Sequence, residues 1–79
     1  MIMVLTQPLL LPTTVEVSPT DRVLLPDTII DCTVIDGRVL VRVLTGHRSG
    51  ISFELPYAML PLRMRPATPL EALVAGNDR

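Results

Sequence analysis

Eight prolines are spread along these 79 residues, from Pro8 to Pro69. Each lacks the backbone N–H that a helix interior needs, and its ring collides with the carbonyl one turn back. Together they argue against a long helix ahead of the C-terminus, and short strands joined by turns are the expectation. The clearest strand signal is a pair of β-branched runs, 28–35 and 38–45, joined by Asp36-Gly37. Asp-Gly between two such runs favours a two-residue type I′ hairpin turn, because both central positions need positive φ. That turn sets Ile35 opposite Arg38, Val34 opposite Val39, Thr33 opposite Leu40, Cys32 opposite Val41, Asp31 opposite Arg42, Ile30 opposite Val43 and Ile29 opposite Leu44. Side chains alternate between faces, so Ile30, Cys32, Val34, Val39, Val41 and Val43 share a face without charge, the expected core face. The other face carries Ile29, Ile35, Leu40 and Leu44 around the cross-strand pair Asp31–Arg42, worth about 0.2–1 kcal/mol. A face left in water would be more polar.

After the loop Thr45–Gly50, the residues Ile51, Phe53 and Leu55 alternate with Ser52 and Glu54 until Pro56 ends the run. Pro56–Leu60 suits a 3₁₀ turn, and Leu62 and Met64 alternate with Arg63 and Arg65 in a short last strand. Val15–Val17 and Arg22–Leu25 are further short strand candidates, split by the turn Ser18-Pro19-Thr20-Asp21. In the tail, Thr68-Pro69-Leu70-Glu71 is a capping box with proline at the first helical position, and Gly76 is a natural stop. Leu70, Leu73 and Val74 share a face of the resulting two-turn helix, which must dock to persist. The expected organisation is an extended N-terminal arm over residues 1–19, a small all-β barrel or barrel-like sheet over 20–66, and a short C-terminal helix and tail over 67–79.

The order of hairpin, strand, Pro-containing turn and final strand resembles an SH3-like small barrel. The resemblance rests on Gly50 followed by Phe53-Glu54-Leu55-Pro56-Tyr57-Ala58-Met59-Leu60 and covers residues 22–65 at most. It implies a barrel closed by an aliphatic after the 3₁₀ turn. The aromatic residues that line an SH3 peptide groove are absent save Tyr57, so a proline-rich ligand is not implied. A fainter similarity, in the Met-aliphatic start and the Gly-centred hairpin, is to small dimeric RNA-binding regulators of the carbon-storage type. Those carry His-Arg at the end of the last strand, where this chain has Glu54-Leu55.

A core of this size supplies only about 3–5 kcal/mol. Cys32 is the single cysteine and His47 the single histidine, which excludes a disulfide framework and a four-ligand zinc site. Self-association, most simply as a homo-oligomer, is the expected further support. The apolar start, Met1–Pro12, has no basic flank, is interrupted at Pro8 and is too short to span a bilayer, so no membrane segment is expected. A lone thiol on the core face fits a reducing compartment, hence a cytoplasmic location in a cell or an infected host.

Charge is segregated along the chain. Glu16, Asp21, Asp27, Asp31 and Asp36 share the first 37 residues with Arg22, whereas Arg38, Arg42, Arg48, Arg63 and Arg65 share residues 38–65 with Glu54. In the Gly46–Gly50 loop, His47, Arg48 and Ser49 offer an anion cradle at best. Residues two apart in a loop seldom reach nucleophile–base geometry, so no catalytic, cofactor or metal site is expected. The outward arginines, beside aliphatics but without stacking aromatics, suit a protein partner better than nucleic acid. The function expected is a non-catalytic protein–protein interaction module: a structural component of a larger assembly, such as a phage or viral one, or a small inhibitor or adaptor. The alternative is an Arg-patch RNA- or DNA-binding regulator. The expected partner-binding residues are Ile29, Ile35, Arg38, Leu40, Arg42, Leu44, Arg48, Arg63 and Arg65.

Overall fold

A computed structural model describes residues 1–18, 21–59 and 64–77. The elements in chain order are β1 (Ile2–Leu5), β2 (Leu9–Leu10), β3 (Val23–Leu24), β4 (Ile29–Ile35), β5 (Arg38–Val43), β6 (Ser52–Pro56), a 3₁₀ turn (Tyr57–Met59), β7 (Met64–Pro66) and α1 (Pro69–Asn77). The fold is mostly β. The β4–β5 hairpin has the expected register, from Ile30↔Val43 to Ile35↔Arg38. Its turn has φ 49° at Asp36 and 75° at Gly37, the signs that a type I′ turn requires. The next hairpin closes differently. Gly50, at φ 96°, donates its N–H to the Val43 carbonyl at 2.9 Å, while the Val43 N–H donates to the Ile51 carbonyl at 2.9 Å. This is a glycine-dependent bulge, with two residues opposite one. It delays the start of β6 to Ser52.

The described part of the expected arm, residues 1–18, contributes two strands to the fold. β1 lies inside a five-stranded antiparallel sheet of order β6-β5-β4-β1-β7, and β2 and β3 pair with each other in a two-stranded sheet. Met3 and Leu5 are buried in the main core and Val4 in a second cluster. A strand covered on both faces carries no polar alternation, which is why Met-Ile-Met-Val-Leu lacks a strand signature. Val15–Val17 is irregular rather than a strand, although Val15 and Val17 still pack on the core. The last strand pairs with β1, not with the hairpin. Among the described residues no pairing joins the edges β6 and β7. The parts of the 3₁₀ turn and last strand expected at Leu60, Leu62 and Arg63 lie outside the described residues.

Two apolar clusters flank the sheet. The main one contains Ile30, Cys32, Val39, Val41, Val43, Phe53, Leu55 and Met64 with β1, β2, β3 and Leu11. Val34 shares their alternation but is exposed near the hairpin tip. The second cluster lies on the opposite face, where Ala75 of α1 seats on Val4, Ile29 and Leu44. The helix does not dock by its large stripe: Leu70, Leu73 and Val74 are exposed, and Ala75 is fully buried. A small side chain lets the helix backbone approach the sheet closely. The capping box forms as expected, the Thr68 N–H donating to Glu71 Oε1 at 2.9 Å and the Glu71 N–H donating to Thr68 Oγ1 at 3.2 Å. Arg65 then grips the same carboxylate through two bonds of 2.8 Å, tying β7 to the first turn of α1.

Candidate interaction surface

The outer sheet face is divided by α1. Ile29 and Leu44, expected to contact a partner, are buried beneath the helix at 8% and 6% exposure. Alternation placed both residues on this face correctly, but the cover comes from the chain itself. The uncovered part runs from the hairpin tip across β5 to the β6 edge, and Ile35 and Leu40 lie there at 54% and 41% exposure. Its side-chain order follows from the ladder. The pair Val43/Ile51 is hydrogen-bonded, as is the Tyr57 N–H to the Gly37 carbonyl. Bonded and non-bonded pairs alternate in an antiparallel ladder, so Arg38/Pro56, Leu40/Glu54 and Arg42/Ser52 are the non-bonded pairs, whose side chains approach closely. Leu40 thus sits between Thr33 and Glu54. Arg38 Nη1 donates to Glu54 Oε2 at 3.2 Å beside it.

The expected Asp31–Arg42 ion pair is replaced. The two residues are opposite one another, but β1 brings the N-terminal ammonium of Met1 to Asp31 Oδ1 at 3.1 Å. Arg42 is exposed and has no ion-pair partner among the described residues.

The wider arginine patch does not assemble. Arg65 lies on β7 beside β1, separated from β5 by two strands, and is occupied by Glu71. Arg48 turns to Asp21, 2.7 Å away, which pins the 44–50 loop to the segment before β3. The Ser18 hydroxyl and then Arg48 hold the Asp21 carboxyl below the usual range. The candidate anion cradle is thus filled by the protein's own carboxylate. Arg63 lies outside the described residues. Of the residues expected to bind a partner, the structure brings together Ile35, Arg38, Leu40 and Arg42. Glu54 and Ser52, which complete the surface, were visible only as outward positions of a strand whose neighbour was unknown.

Elsewhere, burial pushes the Cys32 thiol up to about 11, and its sulfur lies 4.0 Å from that of Met64. Among the described residues no three His, Cys, Asp or Glu side chains are grouped to hold a metal ion, and no helix is long and apolar enough to cross a membrane. No protein-family model, curated protein or solved structure matches the chain.

Proposed function

We propose that the chain is a non-catalytic protein-interaction module that docks a larger partner on the uncovered half of its outer sheet face. The observation that carries this reading is the unequal treatment of one face: the protein covers Ile29 and Leu44 with its own helix and leaves Ile35 and Leu40 exposed. Full burial of two such side chains is worth about 3–6 kcal/mol, and with each already half-covered about half of that remains for a partner to gain. Arg42 favours a partner with an acidic group beside its apolar contact. The order of hairpin, strand, 3₁₀ turn and final strand supports an SH3-like arrangement, and the buried thiol supports a cytoplasmic role as an assembly component or adaptor. Nucleic-acid binding has less support, because Arg38, Arg48 and Arg65 are each committed to a carboxylate.

The test is capture from a nuclease-treated extract of the native source, with mass spectrometry, on three immobilised proteins: wild type, Leu40→Asp, and Leu70→Asp as a control on the exposed helix stripe. Proteins retained by wild type and by Leu70→Asp but lost from Leu40→Asp are expected. An identical set on all three overturns the proposal.

A further inference from the structure

We infer that β6 is an edge through which two copies of this chain pair antiparallel around a twofold axis perpendicular to the sheet. This interface is made by the main chain of the β6 edge and shares with the surface proposed above only Arg42, Ser52 and Glu54. The alternation set by Val43/Ile51 and Tyr57/Gly37 turns the main-chain groups of Ser52 and Glu54 away from β5. Both residues are exposed, and neither main chain has a partner on that side among the described residues.

Elementary constraints select one register. Pairing centred on Glu54 would set that carboxylate against its own copy and place Pro56, which has no N–H, opposite Ser52, forfeiting two bonds. Pairing centred on Ser52 would call on the Gly50 N–H, which already donates to Val43. Pairing centred on Phe53 sets Ser52 against Glu54 of the second copy, twice, and uses every free N–H and carbonyl of both residues in four main-chain bonds. Pro56 and the Gly50 bulge then stop the ladder at each end, so a closed dimer forms rather than a longer array.

Charge agrees with that register. Arg42 is opposite Ser52 on β5, so Glu54 of the second copy lies two strand spacings away, about 10 Å. An extended arginine and glutamate span that distance over the short serine. Arg42, without an ion-pair partner among the described residues, meets a carboxylate across the axis, and the symmetric contact repeats it.

Sedimentation of the purified chain from about 10 µM to about 1 mM covers the range in which so small an interface dissociates. A concentration-dependent monomer–dimer equilibrium is expected. Arg42→Glu weakens it roughly tenfold, as expected for losing two exposed ion pairs, and Glu54→Pro abolishes it. The amides of Ser52 and Glu54, followed by hydrogen exchange in the wild type, become protected only as the dimer fills, a readout independent of whether Glu54→Pro folds. An Ile35→Ser variant, altered only on the outer face, still dimerises, which separates this interface from the one proposed above. A chain that stays monomeric to 1 mM, or a dimer in which both amides exchange freely, overturns the inference.

Discussion

Truncating two leucines four residues apart on one face separates self-cover from a free surface. Leu44 is 6% exposed and packed under Ala75 with Val4 and Ile29, whereas Leu40 is 41% exposed. Leu→Ala at a buried site costs about 2–5 kcal/mol, depending on how far the site collapses. The cover here is a two-turn helix that can settle, so Leu44→Ala is expected to cost about 2–3 kcal/mol. At about 4–8 °C per kcal/mol for a chain of this size, the melting temperature falls by roughly 10–20 °C. Leu40→Ala loses a side chain already half in water and is expected to cost less than about 1 kcal/mol. Urea denaturation at two protein concentrations tenfold apart measures both costs and exposes any contribution from association. The Leu44→Ala loss should be the same at both concentrations, and faster hydrogen exchange in α1 should accompany it. A Leu44→Ala cost below about 0.5 kcal/mol, or one smaller than that of Leu40→Ala, would refute the account of how the outer face is covered.

Three further outcomes follow from the same structure. With its thiol raised to about 11 by burial, Cys32 should resist alkylation at pH 8 without denaturant; because the unfolded thiol ionises near its ordinary value of 9.0, stability should hold below pH 9 and fall as pH rises towards 11. Rapid labelling of folded protein would show the core face to be misassigned. Arg65, then the Thr68 N–H, holds Glu71 down at about 2, so its contribution to helix docking is complete above the ordinary value of 4.5 and lost as pH falls towards 2. Exchange in α1 should quicken across that window in the wild type, and Glu71→Gln should remove the transition. Asp27 occupies the second central position of the Leu25–Thr28 turn with φ 71°, a conformation glycine adopts without strain, so Asp27→Gly should raise stability by about 0.5 kcal/mol in the same denaturation assay.

What was legible in the sequence was local. Asp36-Gly37 specifies its turn by backbone chemistry, and the turn fixes every pair up to Ile30↔Val43, with Cys32 inside. The Thr68–Glu71 box is likewise complete within four residues. What was not legible depends on distant contacts. β1 hides because both of its faces are covered, which removes the polar residues that mark a strand. Alternation placed Ile29 and Leu44 on the outer face but carries no information about what lies over it. In the tail, the large stripe of Leu70, Leu73 and Val74 was the natural choice for docking, yet close approach to Val4 favours the small Ala75. Arg48 and Arg65 were expected to bind a partner, whereas folding gives each a carboxylate from a separate element. Asp31 was expected to meet Arg42 and instead meets the N-terminus that β1 delivers.

Once a captured protein is in hand, the decisive measurement is a hydrogen-exchange footprint of this chain, bound against free, at concentrations below its own dimerisation. Docking on the uncovered outer face predicts slowed exchange in residues 33–42 and 52–55, with the Asp36-Gly37 turn included and α1 unchanged. Slowing confined to α1 around Leu70 and Leu73, or to the 44–50 loop, with β4, β5 and β6 unaffected, would contradict it.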